Sequence, residues 1–148
     1  MAVRLQDFDG REIQWKTFGS YTGFSYRLLN VDLKRKVIDL LFQFGANQRC
    51  FYHRHYHPTS TFVLQGEQHI FEPRAGGIEN HKVRIKGQFA ISEGVETHIE
   101  GGGPGGCIIY QNVRAESDLV YSILNDDLST KIDISIKDFR DDFLQSTT

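Results

Sequence analysis

Short β-rich runs separated by glycine-bearing turns recur along almost the whole chain, and this rhythm limits the fold more than any other feature. Residues 25–33 and 36–44 form two such runs with only Lys34-Arg35 between them, and Gly45-Ala46-Asn47 turns the chain into a third run at 49–55. Residues 61–71 follow, split at Gln65-Gly66, where a glycine supplies a bulge or a tight turn. Within 81–86, Val83 and Ile85 alternate with Lys82, Arg84 and Lys86. Residues 107–110 have the apolar character of a buried strand. Residues 119–124 and 132–136 flank a hairpin turn at Asn125-Asp126-Asp127. Helical periodicity is confined to 137–145, with Phe139, Phe143 and Leu144 on one side and Asp138, Asp141 and Asp142 on a solvated face. Roughly ten short strands and one terminal helix predict an all-β sandwich or barrel.

At 148 residues the chain is expected to be a single domain, 1–148. A net charge of −2 provides no basic footprint for nucleic acid. No run approaches the roughly 18 apolar residues of a membrane span. The opening MAVRLQDFDG turns polar at once, so a cytoplasmic location is expected. Cys50 and Cys107 are too few for a disulfide framework and read as reduced thiols.

Half of the six histidines fall in His53-Arg54-His55-Tyr56-His57. In an extended strand, residues two apart project to the same side, so either His53 with His55 or His55 with His57 can aim two imidazoles at one point. Neutral imidazole is the commonest protein ligand for transition metals. His69, His81 and His98 are available as a third ligand. The stretch 87–98 reads as a short strand, a turn at Glu93-Gly94, and a return strand that begins with His98.

The pair HRHYHPTSTFVLQGE and GQFAISEGVETHIEGG, about thirty residues apart, resembles the two motifs of the cupin superfamily. The resemblance covers about residues 45–113 and implies a double-stranded β-helix, or jelly roll, with a short C-terminal helix. Gly66 lies eleven residues past His55, the spacing common in the superfamily, and this implies His53 and His55 as the first pair with His98 as the third metal ligand. The usual carboxylate position of the first motif falls on Thr59, so the resemblance implies three neutral histidines with no carboxylate. That set is similar to the acetylacetone-cleaving dioxygenase branch. In that branch a glutamate precedes the third histidine; here its first position is Ser92, and Glu93 or Glu96 can stand in for it.

The resemblance implies one divalent transition metal, Fe(II) favoured, with Zn, Ni or Mn as alternatives. It implies a dioxygenase acting on a small dicarbonyl or hydroxyketone ligand. The alternative is a non-catalytic metal- or ligand-binding module, similar to the cupin domains of zinc-dependent anti-sigma factors. A sugar-epimerase reading ranks last, because no Asp neighbours the histidine cluster. His57 is a further candidate base, though its place beside Pro58 suits a strand end at the surface, and His69 and His81 read as structural or exposed. The run 101–106, GGGPGG, lacks the Lys-Ser/Thr of a phosphate loop and is expected to be a flexible turn or lid near the metal. A homodimer is expected, with Trp15, Phe18 and Phe24 of the N-terminal segment packing on the partner.

Overall fold

A computed structural model of the protein describes residue 2, residues 8–74, residue 77 and residues 79–146. The described residues form nine strands and one helix: β1 Phe24–Asp32, β2 Val37–Phe44, β3 His53–His55, β4 Thr59–Glu72, β5 Asn80–Ile85, β6 Phe89–Ser92, β7 Glu96–Arg114, β8 Leu119–Leu124, β9 Thr130–Ser135 and α1 Ile136–Ser146. Every strand pairing is antiparallel. The sheet runs β1-β2-β7-β3-β8-β9, and β4 joins β7 while carrying β5 and β6. Curled on itself, this sheet has the jelly-roll form expected from the sequence.

The period-2 pattern explains which face turns inward. Along β1, Phe24, Tyr26 and Leu28 are buried while Ser25 and Arg27 are only partly covered. They join Ile38, Leu40 and Phe44 of β2 and Ile109 and Val113 of β7 in the core. Phe139 and Phe143 of α1 pack against the same core. The helix opens with a reciprocal cap: the Asp138 N–H donates to Ser135 Oγ at 3.2 Å, and the Ser135 N–H donates to Asp138 Oδ2 at 2.8 Å. Asp142 is not on a solvated face. It pairs with Lys16 and accepts a hydrogen bond from the Tyr26 hydroxyl, which ties the helix to β1 and the segment before it.

The glycine run 101–106 is part of β7 and not a lid. The Gly102 N–H donates to the Gln48 carbonyl at 3.0 Å, and the Gly103 carbonyl accepts from the Asn47 N–H at 3.0 Å. Paired backbone of this kind has no freedom to swing. A Cβ at Gly101 would lie 2.4 Å from the Gln48 carbonyl oxygen, so the turn at 45–48 presses on bare backbone. The run lets one 19-residue strand serve two neighbourhoods. Its first part pairs with β3, its last part pairs with β2, and both parts pair with β4. Gly66 marks the matching irregularity on β4: its φ is +73°, and a Cβ there would stand 2.1 Å from the Gly106 carbonyl oxygen. The sequence split β4 at this point, whereas the strand continues through it with shifted register.

Phe18 and Phe24 are engaged within the chain itself. Phe24 is a core residue, and Phe18 stacks among Tyr21, Phe24, Tyr26 and Phe51 inside the curl. No helix among the described residues is long and apolar enough to cross a membrane.

Candidate metal centre

β3 lies between β7 and β8, with His53 opposite His98 and His55 opposite Glu96 on β7. Cross-strand partners share a face, so this register brings the His53 and His55 rings beside that of His98. Ring centroids are 4.7 Å apart for His53–His98, 4.9 Å for His53–His55 and 4.9 Å for His55–His98. The fourth member is Glu100, two residues beyond His98 on the same face of β7. Its Oε1 lies 2.7 Å from His98 Nε2, 3.4 Å from His53 Nε2 and 3.6 Å from His55 Nε2. One ligand atom from each of the four residues can be chosen so that all lie within 4.8 Å of one another.

The carboxylate-free set expected from Thr59 is therefore replaced by three histidines and a glutamate. Thr59 is buried, but its hydroxyl donates to the His57 carbonyl at 3.1 Å and stands outside the cluster. The signal for Glu100 was in the sequence: the strand parity that pairs His53 with His55 also pairs His98 with Glu100.

Supporting contacts fix which nitrogen faces the centre. A carbonyl can only accept, so His53 Nδ1, 3.1 Å from the Phe51 carbonyl, carries a proton and leaves Nε2 for the cluster. Glu96 Oε1 lies 3.3 Å from His98 Nδ1, near enough to pair electrostatically although the geometry is not that of a hydrogen bond. Gln68 Nε2 and Gln111 Nε2 hold the Glu100 oxygens at 3.4 and 3.5 Å.

The electrostatics follow from burial set against this carboxylate. Burial works against a charged imidazole at His53, but Cys50 and Glu100 outweigh it and leave His53 raised to about 9. At His98 burial is likewise outweighed, by Glu100 and Glu96, and the group is raised to about 9. His55 goes the other way: burial dominates and pushes it down to about 4. Burial alone would raise Glu100, yet the three imidazoles around it hold it well below the usual carboxylate range. Glu96 is lowered to about 2, chiefly by its contact with His98.

The residues present suit a metal ion. Both ring nitrogens of His55 are buried with no hydrogen-bond partner among the described residues, a costly state that an ion at the centre would relieve. Ligands about 2.0–2.1 Å from a shared ion stand roughly 3–3.5 Å from each other, close to the separations from Glu100 Oε1. Three imidazoles and a carboxylate can hold Fe, Zn, Ni or Mn, with further coordination positions left for a ligand.

The other sequence candidates lie elsewhere. His57 is buried and not at the surface, with both nitrogens engaged: Nδ1 accepts from the Glu116 N–H at 3.1 Å and Nε2 donates to the Leu119 carbonyl at 2.6 Å. It braces a loop and has no free nitrogen to act as a base. Glu93 is exposed in the β6–β7 turn. His69 and His81 bond each other at 2.8 Å, outside the cluster.

A cavity of about 450 Å³ adjoins the cluster, lined by His53, His55 and Glu100 on one side and mostly by aromatic and aliphatic residues elsewhere. Tyr121 of β8 packs edge-on against the His55 ring at 4.7 Å. Phe139 and Ile134 bring α1 and β9 to the wall.

No protein-family model and no curated protein matches the chain. Solved structures do. A candidate acetylacetone dioxygenase from Methylibium petroleiphilum PM1 superposes with a TM-score of 0.69 at 17% identity, covering 97% of this chain and 96% of that one. An acetylacetone dioxygenase from Acinetobacter johnsonii gives 0.70 at 15% identity, covering 98% and 99%. An RmlC-like cupin from Ralstonia eutropha JMP134 gives 0.72 at 16% identity, covering 97% and 87%. The chain has the cupin fold.

Proposed function

We propose that His53, His55, His98 and Glu100 hold one divalent metal, Fe(II) in the active form, and that the protein is a dioxygenase-like enzyme acting on a small dicarbonyl or hydroxyketone compound. The observation that carries the metal reading is His55, buried on all sides with neither ring nitrogen partnered. The reaction class is supported by similarity in fold to the acetylacetone dioxygenase of Acinetobacter johnsonii.

Iron held by His53, His55, His98 and Glu100 would supply the redox chemistry for O₂-dependent carbon–carbon cleavage of a dicarbonyl. The chain's own residues prepare that chemistry. Glu100 brings one negative charge to the centre, and an enolate brings a second, so the complete assembly around a divalent ion is neutral. Neutrality matters because the cluster is buried beside a largely apolar wall that would penalise a net charge. Glu96 and the Phe51 carbonyl orient the rings of His98 and His53, and Gln68 and Gln111 orient the Glu100 carboxylate.

Metal content of the isolated protein comes first in the test, followed by O₂ uptake with acetylacetone after anaerobic Fe(II) loading. Uptake that depends on iron and on the diketone supports the enzyme. Tightly held zinc, with no uptake once iron replaces it, would instead support a metal- or ligand-binding module.

A further inference from the structure

Two polar groups in the cavity wall have no hydrogen-bond partner among the described residues. Tyr121 is 7% exposed, and its hydroxyl is buried without a partner. Gln111 is 2% exposed, and its Oε1 is equally orphaned. The assignment of the Gln111 amide is fixed by its neighbour: Glu100 is an acceptor, so Nε2 must face it, and Oε1 is the atom left over. Orphaned buried groups are rare in folded proteins and call for a specific explanation. Both residues line the same cavity as His53, His55 and Glu100.

Most of the remaining wall is apolar, with Asp133, Asp138 and Asp142 as its acidic members. Phe51 stands edge-on to His53 at 6.1 Å and to Phe24 at 5.5 Å, and Phe18 lies 6.1 Å from Phe51. These rings begin an aromatic chamber directly beside the cluster. Its volume of about 450 Å³ lies in the roughly 300–1,000 Å³ range that accommodates drug-sized ligands. A five-carbon diketone would leave much of it unfilled, and water finds few partners beside the aromatic rings.

We infer that Tyr121 and Gln111 position the oxygen-bearing end of a ligand at the cluster while the phenylalanine chamber takes an aryl or similarly bulky apolar body. Tyr121 donates to a carbonyl or enolate oxygen, and Gln111 Oε1 accepts from a hydroxyl or enol. The ligand class is therefore an aryl-substituted dicarbonyl or hydroxyketone. This rests on the metal reading above but not on catalysis.

The test uses the full chain loaded with Zn(II), which has no redox chemistry, titrated with benzoylacetone and with acetylacetone. Benzoylacetone is expected to bind about tenfold more tightly or better. Tyr121→Phe is expected to weaken both by about tenfold while leaving zinc stoichiometry unchanged. The same substitution should leave the melting temperature of the ligand-free protein equal or higher, because it removes an unsatisfied hydroxyl. Phe51→Leu, which keeps an apolar side chain, should weaken benzoylacetone more than acetylacetone. Equal affinity for the two diketones would overturn the inference, as would a Tyr121→Phe protein that melts lower yet binds both unchanged. Failure to bind zinc at all would overturn it together with the metal reading. Selective benzoylacetone binding without O₂ uptake in the iron form would overturn only the dioxygenase reading.

Discussion

Glu100 and His98 lie two residues apart on one face of β7, and the carboxylate accepts from the His98 ring at 2.7 Å. That contact puts a formal negative charge among three imidazoles, and the charge makes the cluster more than a histidine-rich strand end. Glu100→Gln keeps the shape and removes the charge. Metal affinity should fall by more than the about 10–100-fold typical of losing a residue that merely supports a ligand. His55→Ala should abolish binding, whereas Thr59→Val and His81→Ala should leave it intact. Calorimetric titration with Zn(II) checks all four.

Proton release should accompany metal binding. In the metal-free protein His53 and His98 are raised to about 9, so both are protonated at pH 7, while His55 at about 4 is already neutral and Glu100 is already ionised. An incoming ion must displace two protons, and affinity should rise by about two log units per pH unit until pH 9 and then level off. Titration in two buffers of different ionisation enthalpy counts the protons. A count near zero at pH 7 would contradict the charge state described here.

The same shifts govern the stability of the metal-free protein. A raised histidine pKa contributes stability that is complete below the ordinary value of 6.5 and is lost as pH climbs through about 9. Metal-free protein should therefore melt lower at pH 9.5 than at pH 6.5, by a margin that saturating metal largely removes. Thermal melts at both pH values with and without Zn(II) test this.

Much of the fold could be read from periodicity alone. The β-rich runs at 25–33 and 119–124 and the alternation within 81–86 pointed to strands, and the apolar stripe at 137–145 to α1, each set by local side-chain geometry. The errors came where distant backbone decides the outcome. GGGPGG has the composition of a loop, and only the press of residues 45–48 and of Gly66 against it makes it strand. At the site, three histidines were legible because of their spacing, while Glu100 was passed over in favour of Thr59, whose motif position carries no carboxylate. His57 had the right chemistry, but its partners at Glu116 and Leu119 are some sixty residues away and leave no trace in local sequence.

Gly66→Ala should be among the most damaging single substitutions. A left-handed φ costs a non-glycine residue roughly 1–2 kcal/mol, and a Cβ 2.1 Å from the Gly106 carbonyl oxygen adds a clash with backbone. A loss of about 3 kcal/mol or more is expected. Urea denaturation checks it, with Gly105→Ala, where a Cβ meets nothing within 4 Å, as the mild comparison.

A second apolar face, besides the N-terminal aromatics, is open to assembly. Val83 and Ile85 of β5 and Phe89 and Ile91 of β6 are 45–54% exposed on the outer side of strands that both pair with β4. We propose a homodimer that covers this face. Light scattering should return twice the 17.0 kDa of one chain, and Ile91→Glu should return a single chain. A wild-type monomer at micromolar concentration would count against the dimer.

The long β7 strand also sets a timetable. Because it pairs with β2, β3 and β4, none of those strands has its full set of neighbours until the ribosome has released the chain through Arg114. His53 and His55 thus emerge well before His98 and Glu100 can close around anything. A metal held by all four side chains could therefore be captured only once β7 has emerged.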